Sequence, residues 1–216
     1  MAGVGIFGGT FDPIHLGHLR SAYEVTQQLS LDKLYFVPNA QTVHRHQPNT
    51  DFLHRLQMVK LAIADVHQWQ SSACEGERSG ASYTYHTIQH FRELLDDDKP
   101  LWLIIGSDAF YHFHTWHRWQ EILSLCQLAV MTRAGETVTG GCAKTQALLT
   151  NNQEYAIGRV LPVTVTALDI SSSKIRAELL AQQSPRFLLP ETVLTYIQKN
   201  ELYTPPTGLL DHYILK

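Results

Sequence analysis

The chain has 216 residues, 44% of them hydrophobic, which suffices for a sizeable core and is too many for a disordered segment. Its formal net charge of −3 excludes the broad basic footprint of a nucleic-acid-binding surface, but not a small nucleotide held by a few local cations. Three scattered cysteines (Cys74, Cys126, Cys142), a start without signal-peptide layout and a longest apolar stretch, "PLWLIIG", too short for a bilayer point to a cytoplasmic protein.

In chain order, "VGIF" at 4–7 reads as a buried strand. It runs into "GGTFDPIHLGHL" at 8–19, after which Leu19, Ala22, Val25 and Leu29 form one apolar stripe of a helix. "KLYFVP" at 33–38 is a second strand, and Phe52, Leu56, Val59, Ile63 and Val66 mark a second helix. Tyr85, Ile88, Phe91 and Leu95 mark a third helix before the strand "LWLII" at 101–105, where Trp102 reads as core. "FHTWHRWQEIL" reads as a helix start capped by Thr115, which would leave the N–H groups of Trp116 and His117 free to read a carboxylate. "LAVM" at 128–131 is a further strand, followed by the loop-like "RAGETVTGG" at 133–141. "RVLPVTV" at 159–165 is a weaker strand that Pro162 confines to an edge. "DISSSKIRAELL" opens a last helix containing Leu179 and Leu180. Strand–helix alternation of this kind predicts a doubly wound α/β fold, with a mostly parallel sheet and helices on both faces. Residues 1–203 read as one domain and 204–216 as a C-terminal appendage.

Strand, glycines, then helix is the layout of a phosphate site at the carboxyl end of an open sheet. It is neither GxGxxG nor a P-loop, so a Rossmann dinucleotide site and a Walker NTPase are not supported. Gly8 and Gly9 could merely make a tight turn and the histidines cap a helix. Three residues apart at a helix start, however, His15 and His18 can face one side and donate to phosphate together. The second helix start repeats the theme. Lys174 and Arg176 in its first turn oppose the helix dipole, at about 0.3–1 kcal/mol each, and the mismatch disappears if a polyphosphate binds there.

"GGTFDPIHLGHL" together with "ISSSKIR" resembles the HxGH nucleotidylyltransferases and, among them, the bacterial nicotinate-mononucleotide adenylyltransferases, a Rossmann-like fold. "FVPN", "SYT", "IIGSD", "TW" and "LLPETVLTYI" agree, so the resemblance covers nearly everything from Val4 to Tyr203. It implies transfer of an adenylyl group from ATP to nicotinate mononucleotide in NAD biosynthesis, releasing pyrophosphate without a covalent enzyme intermediate. It also implies Mg²⁺ entering with ATP and no metal ligands from the protein. By resemblance, His15, His18 and Arg176 are catalytic, with His18 closest to the transferring phosphate. Gly8, Gly9, Thr10, Phe11, Gly17, Gly106, Asp108, Ile170, Ser171 and Ser172 would bind ATP, with Gly8, Thr10 and Phe11 near its phosphates, Asp108 accepting from a ribose hydroxyl, and Ser171, Ser172 and Arg176 holding the β- and γ-phosphates. Asn39, His44, Arg45, Thr84, Trp116, His117 and Arg133 would line the mononucleotide side. Two departures stand out: Thr42 and Val43 replace the family's usual proline pair before His44 and Arg45, and Ser173 stands where threonine is usual.

The remaining histidines read as surface groups. His86 and His90 have zinc-compatible spacing but no third ligand, and His112 and His114 carry no role. Rival readings are a pantetheine-phosphate adenylyltransferase or cytidylyltransferase, a class I aminoacyl-tRNA synthetase fragment, and a non-catalytic nucleotide sensor. "SYT" and "TW" favour the nicotinate enzyme, and no KMSKS-like loop is present. Expected partners are ATP and nicotinate mononucleotide, with no nucleic acid and no membrane, and self-association stays open.

Overall fold

The computed structural model describes residues 3–41, 48–78, 80–96, 99–150 and 158–205. Six strands form one parallel sheet: β1 (Val4–Gly9), β2 (Lys33–Pro38), β3 (Trp69–Ser71), β4 (Leu101–Gly106), β5 (Gln127–Thr132) and β6 (Val160–Thr164). Their spatial order is β3-β2-β1-β4-β5-β6. The chain therefore winds outward from β1 in one direction, then returns to β4 and winds outward in the other. The reversal lies between β1 and β4, which pair from Val4↔Leu101 to Phe7↔Ile104. In such a sheet the ligand crevice opens beyond the carboxyl ends of those two strands.

Strand alternation sorts side chains into two cores. Val4 and Ile6 of β1, with Leu101, Leu103 and Ile105 of β4, face one layer; Phe7, Trp102 and Ile104 face the other. The second layer is covered by α1 (Leu16–Gln28), α2 (Phe52–Ile63), α7 (Ser172–Leu180) and α8 (Glu191–Lys199), through Val25, Val59, Ile175 and Ile197 among others. The first is covered by α3 (Thr84–Leu94), α4 (Ser107–Tyr111) and α5 (Trp119–Leu125), through Ile88, Phe110 and Ile122, while α6 (Ala143–Leu148) follows β5. This is the doubly wound α/β fold expected, with all six strands parallel. No helix among the described residues is long and apolar enough to cross a membrane.

The strand carrying Pro162 sits at the edge, as expected: β6 pairs only with β5, with Pro162 opposite Val130. The other edge strand, β3, escapes sequence reading because its three residues, "WQS", offer no apolar run. Helix α8 escapes too, although Val193, Leu194 and Ile197 form a narrow buried stripe, because Pro190 at its start reads as punctuation. The helix start at Thr115 is a correction. Residues Phe113–Thr115 form a 3-10 turn in which the Thr115 hydroxyl donates back to the His112 carbonyl. The α-helix begins only at Trp119, behind Arg118 in the left-handed region (φ 54°). Arg118 holds that conformation with its guanidinium 3.8 Å from the Tyr85 ring centroid and bonded to Glu121.

Candidate active site

The site is built outward from the carboxyl end of β1. Gly8 is exposed there, and Gly9 accepts the Asn39 N–H at 2.9 Å, which brings the end of β2 alongside. Gly9 is required sterically, since a Cβ there would sit 2.9 Å from the Phe11 ring. The chain then turns through Phe11 at φ 48°, whose buried ring packs edge-on against Phe7 (5.7 Å) and His18 (5.2 Å).

His15 is the N-cap of α1 and His18 its third helical residue, and they cap reciprocally. The His15 N–H donates to His18 Nδ1 at 3.3 Å, and the His18 N–H donates to His15 Nδ1 at 3.4 Å. A ring nitrogen that accepts cannot carry the proton, so this bonding assigns both protons to Nε2. The rings stack with centroids 3.7 Å apart and planes 25° apart, which leaves two Nε2–H donors side by side. Burial pushes His15 down to about 4, and burial with His15 beside it holds His18 well below the ordinary imidazole range. Both are therefore neutral donors near pH 7 rather than cations. The glycine between them has a reason: a Cβ at Gly17 would approach His15 Nδ1 to 3.0 Å. Leu16 N–H is taken by the Leu188 carbonyl at 2.9 Å, whereas Gly17 N–H has no acceptor among the described residues.

The start of α7 meets this loop. Ser171 caps the helix by accepting the Lys174 N–H (3.2 Å), and Ser172 Oγ donates to the Pro13 carbonyl (2.8 Å). Arg176 donates through Nη1 to the Asp12 carbonyl at 2.6 Å and through Nη2 to Ser173 Oγ at 3.3 Å. The Ile170 carbonyl lies 3.6 Å from where a Gly17 Cβ would stand, so the N-termini of α1 and α7 converge on one cleft. Because the Ser172 hydroxyl proton is spent on Pro13, its free donor is the backbone N–H of the first helical turn. That turn carries no acidic residue.

Asp12 joins the pieces. Its carboxylate is nearly fully buried; Oδ1 accepts the Tyr203 hydroxyl at 2.6 Å, Oδ2 accepts the Asn49 N–H at 2.8 Å, and Arg176 Nη1 lies 3.9 Å from Oδ2. Burial, then the bond to Asp12 and its charge, push the Tyr203 hydroxyl far above the ordinary phenol range. Behind the loop, the wholly buried Arg55 donates to the Thr10 carbonyl (2.7 Å) and the Thr50 carbonyl (3.0 Å). Asp12, Arg55, Asn49 and Tyr203 were not singled out by sequence reading. Asp12 sits inside the quoted motif without a chemical signature, and Arg55 stands beside Leu56 on an apolar helix face.

At the end of β4, Gly106 caps α4, and Asp108 folds back until its Oδ1 would lie 2.6 Å from a Gly106 Cβ. On the β2 side, Ser82 Oγ accepts the N–H groups of Ala40 and Gln41, both at 3.0 Å, which fixes the segment after Asn39 against the start of α3 at Thr84. The His117 ring lies 4.3 Å from that of Tyr83, so His117 joins this group, and Trp116 packs on Phe113 at 5.3 Å. The expected pair of free donors at Trp116 and His117 is not met: the Trp116 N–H bonds the Phe113 carbonyl at 3.0 Å, and only His117 N–H lacks an acceptor among the described residues. Arg133 stands apart from this group. It pairs with Glu136 (3.8 Å) and lines a cleft of ≈ 620 Å³ with Glu24, Gln28 and residues 164–167, on the α1 side of β5 and β6. His44 and Arg45 lie outside the described residues.

Among the described residues, no group of three His, Cys, Asp or Glu side chains could hold a metal ion. Both Asp12 oxygens are already engaged by Tyr203 and Asn49.

Residues 6–178 match the Cytidylyltransferase-like family. The chain is 44% identical over 213 residues to a protein of Acidithiobacillus ferrooxidans named "Probable nicotinate-nucleotide adenylyltransferase", covering 93% of this chain and 95% of that one. It is 38% identical over 209 residues to a protein of the same name from Pseudomonas aeruginosa, covering 94% and 98%. Among solved structures, Plasmodium falciparum nicotinic acid mononucleotide adenylyltransferase, complexed with APC and with NaAD, shares the fold at TM-score 0.71 and 18% identity, covering 94% of this chain and 98% of that one.

Proposed function

The chain belongs to the nicotinate-nucleotide adenylyltransferases of the Cytidylyltransferase-like family, and from that premise we propose how its residues act. It is an enzyme that transfers the adenylyl group of ATP to nicotinate mononucleotide, giving nicotinate adenine dinucleotide and pyrophosphate in NAD biosynthesis. An oxygen of the acceptor's 5′-phosphate attacks the α-phosphorus. The bond from that phosphorus to the β-phosphate oxygen breaks, and pyrophosphate leaves with the electron pair. No proton transfer is needed, so the protein's task is positioning and charge stabilisation.

The side-by-side Nε2–H donors of His15 and His18 carry this reading. Neutral imidazoles locked by backbone bonds are preorganised for charge that develops on an α-phosphate, and they need not reorient as it forms. His18, packed edge-on against Phe11, meets that phosphate; His15 and Gly17 N–H serve the neighbouring one. The N–H groups of Ser172 and Ser173, with the remaining donors of Arg176, hold the departing pyrophosphate. Gly8, Gly9, Thr10 and Phe11 allow close backbone approach, and Gly106 and Asp108 take the ribose. Asn39, Thr84, Trp116 and His117 receive the mononucleotide, together with His44 and Arg45. Mg²⁺ enters as part of the ATP substrate and neutralises phosphate charge. Arg133 is assigned to the mononucleotide side by the resemblance alone. Residues 1–203 act as one domain, a reading supported by the bond from Tyr203 to Asp12.

The test is pyrophosphate release with Mg²⁺ and ATP against a panel of acceptors. Nicotinate mononucleotide should support rapid release, while pantetheine phosphate, and CTP in place of ATP, should not. Release that is independent of nicotinate mononucleotide would overturn the reading.

A further inference from the structure

We propose that Arg55, a buried residue of α2 behind the loop, is a positioning residue for the triphosphate: it holds the Thr10–Phe11 peptide so that the Phe11 N–H is offered to a phosphate oxygen. The proposal rests on the reading of this cleft as an ATP site.

Arg55 is 1% exposed and is the largest fully buried side chain among the described residues. Its guanidinium reaches two carbonyls, Thr10 through Nη1 at 2.7 Å and Thr50 through Nε at 3.0 Å. Burying a cation carries a heavy desolvation penalty, and satisfying two carbonyls does not require one, since a neutral amide or hydroxyl donor would do. The charge of Asp12, on the same loop, offsets part of that penalty, and the two carbonyl bonds add a gain of their own.

The peptide itself shows what is gained. A planar trans peptide sets its C=O and N–H in opposite directions, so drawing the Thr10 oxygen toward α2 turns the Phe11 N–H away from α2. That N–H has no acceptor among the described residues. Phe11 occupies the left-handed region at φ 48°, where a bulky residue is disfavoured, so the peptide needs its surroundings to hold it. Its ring is wedged against Phe7, Phe36 and His18. A charged donor on the carbonyl also polarises the amide and makes the N–H on the opposite side a stronger donor. The bond to Thr50 fixes the guanidinium plane, so that Nη1 stays aimed at Thr10.

Binding of Mg-ATP and of adenosine, measured by titration calorimetry on the full chain, tests this. Adenosine lacks the phosphates, so a positioning role should spare it. Arg55→Met should weaken ATP binding by about tenfold or more while adenosine binding changes by less than about twofold. Arg55→Lys keeps a cation near the Thr10 oxygen but cannot serve both carbonyls; it should fall between, still losing about threefold for ATP relative to adenosine. Equal weakening of both ligands, or an unchanged ATP affinity, would overturn the proposal. Should Arg55→Met fail to fold, Arg55→Lys decides by the same comparison. None of these measurements needs turnover, so a wild-type chain that binds ATP without releasing pyrophosphate would count against the reaction and not against Arg55.

Discussion

The two histidines at the start of α1 are fixed by what their Nδ1 atoms already hold. Each accepts the other's backbone N–H, so protonating either ring would break a cap as well as charge a buried group. His15 has a folded value of about 4 against an ordinary 6.5. As pH falls, the unfolded chain therefore takes up that proton first. The stabilisation is whole above about pH 6.5, is lost between 6.5 and 4, and falls no further below 4. His15→Asn keeps an N-cap acceptor and removes the titration. Urea unfolding of both proteins across this window should show wild type losing on the order of 3 kcal/mol relative to the variant. Parallel curves would mean that His15 is not held neutral. The motif pattern made these residues visible as a pair, but not their state. A sequence shows that two imidazoles can face one side, whereas the reciprocal cap and its tautomer depend on backbone angles that only the folded loop has.

The elements that frame the cleft were legible where local rules act alone. β1, β2, β4 and β5 are continuous apolar runs, as strands buried on both faces must be, and α1, α2 and α3 carry full stripes. β3 and the start of α5 were not, because both are set by tertiary contacts: β3 by pairing with residues 34–36 of β2, and the α5 start by Arg118 over Tyr85. The serine run that opens α7 divides its work in a way composition could not show. Ser171 caps, Ser172 ties the helix to Pro13, and Ser173 braces Arg176. Ser171→Ala should therefore cost about 1 kcal/mol of stability, measured by urea unfolding without ligand. A cost near zero would mean that water replaces the cap without loss.

Across the whole molecule, Asp12 gathers residues distant in sequence: Asn49 from beyond β2, Arg176 from α7 and Tyr203 from beyond α8. No periodicity announces a contact between residues 12 and 203, so the boundary expected at 203 rests on the prolines just beyond it and on the extent of the family resemblance. Tyr203→Phe leaves a buried carboxylate oxygen short of its donor and should cost about 1–3 kcal/mol in urea unfolding. A chain ending at Pro205 should unfold at the wild-type urea concentration. A truncation as damaging as the tyrosine change would place the domain boundary further along.

In the proposed reaction, adenylyl transfer takes place between the starts of α1 and α7, with His18 acting on the transition state. ATP labelled at its α-phosphate, incubated with Mg²⁺ and nicotinate mononucleotide, follows that group directly. Label should appear in the dinucleotide with one pyrophosphate released per dinucleotide formed. His18→Ala should lower kcat by about 10²–10³ while the KM for ATP moves much less. Label recovered as AMP, or a His18→Ala enzyme with unchanged kcat and a raised KM, would contradict it.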